Sequence, residues 1–372
     1  MKRMIIFIII LMVTVNIGAE LKITENPAVP QNQNAGRVIA LEEIMRISDE
    51  SGDFYFKRPG KIRIAPDESI FLTDDDQFLR FDKNGKFLNN QHKKGEGPGE
   101  YSSIRSYQFI DNKIIIFSYQ PAKIIETDMK GNLLKEYRLQ EQIGFKQILG
   151  FIGEKFWFVG SSFRELLKRN TGEHTLFQEL AWGTRAGKIE KTGILFPEKL
   201  YMKKISSKKR MAVAIRSMAK PIFAWDRAKN LYVSDAQKYL VRQVDLEKVK
   251  IVRTFTRKYT RIPYKDERSK EEKEKEGSIG DDPEYFSDIQ GLHVQGDKIW
   301  VVTSTLAKEK GVLVDVFTME GKYIDNFYLP LPRIKKVSHL EGETFILYKD
   351  FLFTVESDED GNIEVVQYKF KI

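Results

Sequence analysis

Six times along this chain a polar turn precedes two adjacent apolar residues, and after each such pair a second turn follows. The pairs are Ile70-Phe71, Ile114-Ile115, Phe156-Trp157, Leu231-Tyr232, Ile299-Trp300 and Phe345-Ile346. The second turns are Asn84-Gly85, Lys130-Gly131, Thr171-Gly172, Glu247-Lys248, Glu320-Gly321 and Asp360-Gly361. Nothing else in the sequence restricts the fold as strongly. Gly and Asn supply the positive φ that tight hairpins require. Neighbouring residues of a strand point to opposite faces, so an adjacent apolar pair demands burial on both. A unit of four short strands, roughly 40 residues, cannot bury both faces alone and must stack on copies of itself. Six such units predict an all-β chain: a six-bladed β-propeller of four-stranded antiparallel blades.

The first unit is the clearest. Ile62–Ala65, Ser69–Thr73 and Phe78–Asp82 read as strands, and Lys86–Leu88 opens a fourth. Two later intervals are too long for one blade. They place insertions at Trp182–Arg210 and Tyr264–Tyr285. Aromatic members of the pairs (Phe71, Trp157, Tyr232 and Trp300) are expected to fill the wedge between blades, as core and not as a stacking platform. Helical repeats are excluded because no unit carries a helical period.

The N-terminus has its own logic. Met1-Lys2-Arg3 is basic, Met4–Val15 is nearly unbroken apolar, and Asn16–Ala19 is small and polar. That is the layout of a secretory signal peptide, residues 1–19, cut after Ala19. The apolar run is short for a membrane span, which needs about 20 residues. The expectation is an exported protein, periplasmic or extracellular, with no transmembrane helix once the signal is removed. Residues 20–48 form a lead-in, with Glu20–Gly36 polar and flexible. Arg37–Ile47 is the apolar stretch free to dock on the terminal blade and close the ring. Residues 49–372 make the propeller.

Composition excludes several chemistries. There is no cysteine, hence no disulfide, thiolate metal site or Cys nucleophile. Net charge is +8, and removal of Lys2 and Arg3 leaves 59 basic against 53 acidic residues, or +6. An excess this small in an exported chain gives no reason to expect a nucleic-acid partner.

Directly after the first unit comes Lys94-Gly95-Glu96-Gly97-Pro98-Gly99-Glu100-Tyr101. With this loop and the Asp82-Lys83-Asn84-Gly85 turn, the chain resembles the exported bacterial six-bladed β-propellers related to NHL-repeat proteins. Many of these carry a Gly-x-Gly-Pro-Gly-Glu-aromatic loop after an early blade. The resemblance implies fold and export across roughly residues 60–372. It assigns no chemistry, although some six-bladed propellers are lyases or lactonases with a metal in the channel.

Candidate site residues follow from topology. Loops joining an outer strand to the next inner strand share one face with the turns between second and third strands. Gly95–Tyr101 therefore lies near the channel mouth, where backbone N–H groups and Glu100 can meet a ligand. The plainer reading is a blade-connecting clasp with Tyr101 as its plug. Asp74, Asp75 and Asp76 end a strand on the same face. Three carboxylates suit Ca²⁺, but adjacent strand residues diverge, so a solvated turn is the competing reading; no other cofactor is indicated. His293 and His339 each lie six residues before an apolar pair, which puts both on innermost strands. The equivalent positions elsewhere are Ile64, Gln108, Gly150 and Trp225. The pair is either a channel-side ligand site or two satisfied packing histidines.

Trp182–Arg210 carries nine basic and two acidic residues. It reads either as a contact for an anionic polymer or lipid, or as a blade-edge extension with a solvated rim. Lys265–Glu276 is charged throughout and is assigned no chemistry. No serine sits in a nucleophile elbow. The expected function is a monomeric, non-catalytic propeller. Its channel face binds an unidentified small molecule, glycan or protein through Asp74, Asp76, Glu100, Tyr101, His293 and His339. A metal-dependent lyase or lactonase is the alternative.

Overall fold

A computed structural model describes residues 23–119, 122–139, 145–161, 169–185, 188–207, 210–226, 229–265, 269, 279–331, 345–357 and 360–372. The leader Met1–Ala19, most of Lys265–Glu276 and His339 lie outside these residues. The chain forms a six-bladed propeller. Blade 1 comprises Gly60–Ile64, Ile70–Asp74, Gln77–Phe81 and Phe87–Asn90, from the axis outward. Blade 2 comprises Ile104–Ile110, Lys113–Tyr119, Ala122–Asp128 and Leu133–Arg138. Blade 3 has five antiparallel strands: Phe145–Ile152, Lys155–Gly160, Gly172–Thr184, Ile189–Ser207 and Arg210–Ala219. Blade 4 contains Phe223–Trp225, Asn230–Ser234, Leu240–Asp245 and Lys250–Arg257, and blade 5 contains Ile289–Gln295, Lys298–Ala307, Gly311–Thr318 and Tyr323–Leu329. Blade 6 is built from Phe345–Tyr348, Phe351–Ser357 and Ile363–Phe370, with Leu41–Ile47 as its outermost strand.

Local chemistry explains the hairpins. In blade 1 the Asp82 carboxylate accepts from the Asn84 and Lys86 amides, and Gly85 N donates to Asp82 O. Gly85 sits at φ 82°, which only glycine adopts without strain. Blade 2 repeats the device with Asp128 and Gly131, and blade 5 with Thr318 and Gly321. Between blades, the second member of each apolar pair faces the next blade. The layer reads Phe71, Ile115, Trp157, Tyr232, Trp300 and Phe353, all buried. Removing one of these large side chains costs about 3–5 kcal/mol, so the seams between blades are the core.

Three sequence expectations are corrected. The sixth pair is Leu352-Phe353 and not Phe345-Ile346, because Phe345–Tyr348 is itself an innermost strand. Since Leu41–Ile47 takes the outer place, every C-terminal strand sits one position further in, and Asp360-Gly361 turns on the opposite face. Thr171-Gly172 is not an outer turn either. Gly172 begins a strand that runs to Thr184, and the outer turn is closed by Thr184 N donating to Lys188 O. The basic stretch Trp182–Arg210 is thus mostly blade 3 itself, with strands long enough to rise past the blade.

Thirdly, the lead-in is not wholly flexible. Ile23–Asn26 pairs in parallel with the outer strand of blade 4, and Arg37–Val38 with that of blade 5. Together with Leu41–Ile47 the segment straps the outer edges of blades 4, 5 and 6. Asn26 fastens it: its Nδ2 donates to Thr256 O and Gly321 O, and its Oδ1 accepts from Tyr323 N. Such covering removes unpaired sheet edges. The two elongated regions also meet. Arg216 pairs with Asp282 at 2.9 Å, and the Tyr201 ring packs over Gly280, leaving no room for a side chain there.

Candidate functional site

On the face that carries the turns between second and third strands, blades 1 and 2 part to form a cleft of roughly 290 Å³. Its wall is Arg58, Gly60, Lys61, Thr73, Asp75, Gln77, His92, Ser103 and Ile104. The innermost strand of blade 1 shapes one side. Its register slips between Gly60 and Arg63, and Lys61 is held at φ 48°. Asp75 opposite is held at φ 45°. Asp75 takes the positive φ of its two-residue hairpin, whereas Lys61, within a strand, holds a conformation that costs about 1–3 kcal/mol. The floor is fixed by Tyr107, whose hydroxyl is directed at Lys61 O (2.6 Å) and Phe71 O (2.9 Å).

The predicted acidic and loop residues build the frame of this cleft, and of the Asp74–Asp76 run only Asp75 lines it. The Asp74 carboxylate is fully buried and accepts from the Lys57 and Arg58 amides at 2.7 and 2.8 Å. Burial nevertheless pushes its pKa up. Asp75 turns outward to Lys57 and Arg58, whose cations lower its pKa. Asp76 accepts from the Tyr55 hydroxyl at 2.7 Å, which lowers its pKa. The three carboxylates diverge, each to a different part of the Tyr55–Arg58 segment. Among the described residues no three His, Asp or Glu side chains are grouped to hold a metal.

The glycine loop is held as a clasp. Glu100 folds back so that its Oε2 accepts from Gly97 N at 3.0 Å, and a Cβ on Gly95 would lie 2.0 Å from that oxygen. Beneath it the fully buried Lys123 donates to Gly97 O (2.8 Å) and pairs with Glu136 (3.0 Å), which also accepts from Gly99 N. Tyr101 is core, packed with Phe71, Phe78 and Tyr107. Its outward role is to support His92, whose ring lies 4.9 Å from its own.

His293 is on the innermost strand of blade 5, opposite Trp300, away from this cleft. Burial lowers its pKa to about 4. The positional match drawn between His293 and His339 fails, because it took Phe345 for a second-strand residue. The true counterparts of His293, each facing the next blade, are Arg63, Gln108, Gly150, Ala224 and Ile346. Ile64 is displaced from this layer by the longer turn between Ala65 and Ser69, and at Gly150 the vacant side-chain position is filled by Trp225. The residues that sequence reasoning passed over are His92, Lys61, Arg63 and Ser103. No spacing marks them, since three come from loops and a bulge. His92 is partly buried, burial lowers its pKa, and its Nε2 has no hydrogen-bond partner among the described residues.

Comparison with known proteins agrees with this architecture. A 15% identical protein from Bacteroides fragilis, described as exported, superposes with a TM-score of 0.52 over 94% of this chain and 100% of its own. A member of the DUF4221 family from Bacteroides vulgatus is 11% identical, with a TM-score of 0.52 over 90% and 98% of the two chains. At these identities the likeness is one of fold. No curated protein matches the chain in sequence. Among the described residues no helix is long and apolar enough to cross a membrane. The model of one family does match, over residues 49–245, more than half of the chain. The chain belongs to that family, the DUF5128 six-bladed β-propellers.

Proposed function

We propose that this protein is an exported, non-catalytic binding propeller that takes a small polar molecule into the cleft between blades 1 and 2. It works outside the cytoplasm as a monomer, since one chain supplies the whole cleft wall. The observation that carries the reading is the chemistry of that wall. A concave site with convergent polar groups is the usual form of a ligand pocket. Here the groups are an imidazole, a serine, a threonine, a glutamine, one carboxylate and two cations. The left-handed backbone at Lys61 falls on the same wall. Asp74, Glu100 and Tyr101 act as its supports, and Ca²⁺ is no part of the proposal.

A thermal-shift screen with sugars, amino acids and small organic acids tests it. Compounds that raise the melting temperature should lose their effect in Ser103→Trp, which fills the cleft, and in His92→Ala. They should keep it in Asn84→Ala and Lys130→Ala, on the opposite face. Stabilisation unaffected by the cleft variants but abolished on the far face would mean that the functional face has been inverted.

A further inference from the structure

One cation on the seam between blades 1 and 2 stands apart from its kind. Partly buried arginines elsewhere among the described residues each have an acceptor: Arg37 on Asp325, Arg80 on Asp67, Arg216 on Asp282, Arg257 on Asp315. Arg63 is also partly buried. Its guanidinium lies over the Tyr107 ring, 5.7 Å from the centroid, and its Nε is buried without an acceptor. A cation–π contact offsets only part of what a buried guanidinium nitrogen loses without an acceptor.

The position of Arg63 gives this meaning. It lies two residues beyond Lys61 on the innermost strand of blade 1; Lys61 lines the cleft and Arg63 stands behind that wall. Tyr107 ties the two together, since its ring carries the guanidinium and its hydroxyl is directed at Lys61 O. The turn between Ala65 and Ser69 is one residue longer than the matching turn of blade 2, and this sets Arg63, in place of Ile64, opposite Phe71 and toward blade 2. Lys61 and Arg58 add positive charge above it, and Asp75, the acid of the wall, is occupied by Lys57 and Arg58. Among the described residues no carboxylate pairs with Arg63, while Ser103, Thr73, Gln77 and His92 give the cleft wall its hydrogen-bonding groups.

We propose that the cleft takes a small hydroxylated organic acid, with its carboxylate or phosphate group directed inward to Arg63 and its hydroxyls to the His92 rim. This rests on the cleft being the ligand site, as proposed above. Arg63 supplies a planar fork suited to an oxyanion, and its ring partner pre-orients the fork.

Calorimetric titration of the full mature chain with D-glucuronate, glucose 6-phosphate and D-glucose tests the assignment, with His92 followed by NMR. An acid is expected to bind and shift the His92 ring signals, and glucose to bind at least roughly tenfold more weakly. Whichever of carboxylate and phosphate is preferred names the anion. Arg63→Gln should remove the preference for the acid over glucose, and Arg63→Lys should restore part of it, which a merely structural role would not produce. If glucose and the acids shift His92 equally and Arg63→Gln changes neither, the anion assignment falls while the cleft remains the site. If none of the three compounds moves His92, both readings fall.

Discussion

Two seams of this propeller each bury an arginine against tyrosine, and they are finished in opposite ways. Between blades 4 and 5, Arg257 lies over the rings of Tyr239, Tyr259 and Tyr323 at 4.8, 4.9 and 5.3 Å. Its Nε donates to Asp315 Oδ2 at 2.7 Å, and the hydroxyls of Tyr239 and Tyr323 donate to the same carboxylate at 2.6 and 2.7 Å. Asp315 is fully buried, with both oxygens bonded. Outside it, the N-terminal strap adds Asn26 to Tyr323. Between blades 1 and 2, among the described residues, Arg63 has one tyrosine face and no carboxylate, no strap crosses the outer edge, and a cleft opens beside it. A saturated network fixes one conformation and leaves nothing for a ligand. On the reading proposed above, the unsaturated seam is the one that binds. The arginines themselves differ in one respect, a buried carboxylate bonded to Arg257 and none to Arg63 among the described residues.

That contrast is open to direct challenge. The largest effect is expected from Asp315→Ala, which leaves Arg257 buried without its anion. A loss of about 3–5 kcal/mol of stability is predicted, measured by urea unfolding. A loss below 1 kcal/mol would show that the tyrosines alone carry the cation.

Next comes Asn26→Ala. It removes three hydrogen bonds that join the strap to blades 4 and 5, at about 0.5–1.5 kcal/mol each. Unfolding curves should move by roughly 2 kcal/mol, and hydrogen exchange at Tyr323 should accelerate. An unchanged rate at Tyr323 would mean that the strap merely lies against the ring.

Acid should act more gently. His293 and His92 have folded-state pKa values below the ordinary 6.5, His293 at about 4. The unfolded chain therefore binds more protons between pH 6.5 and 4, and stability falls as pH drops through that window. Because both rings are only partly buried, the effect should be on the order of 2 kcal/mol or less. The double variant His92→Gln/His293→Gln should flatten the slope, and an unchanged slope would assign the acid sensitivity to other groups.

The smallest effect belongs to Arg63→Gln, which removes an uncompensated charge. Stability should change by less than about 1 kcal/mol, or rise. A loss as large as that of Asp315→Ala would make Arg63 a structural residue and erase the contrast.

Much of this architecture was legible in the sequence, for physical reasons. Leu231-Tyr232 or Ile299-Trp300 must be buried on both faces, and only stacked blades provide that. The turns were legible because Gly85 and Gly131 satisfy a conformation that few residues adopt. Legibility failed where the chain closes on itself. Leu41–Ile47 claims the outer place in blade 6, so Phe345-Ile346 was assigned one strand too far out, and His339 was matched to His293 on that error. It failed again in blade 3, where the strands ending at Thr184 and beginning at Ile189 outgrow the repeat. The candidate site was less legible still. Glu100, Tyr101, Asp74 and Asp76 stand beside the cleft proposed here without lining it. Arg63 was hidden by a turn one residue longer than that of the next blade, and His92 by a loop.

The central claim is that one of two tyrosine-seated arginines is reserved for a ligand and the other for the fold. Nitrogen-15 NMR of the arginine Nε–H groups during a glucuronate and phosphate titration tests it most directly. The prediction is that the Arg63 resonance moves with saturation while that of Arg257 stays fixed from the first addition to the last. Movement of Arg257, or an Arg63 signal indifferent to every anion, would contradict it.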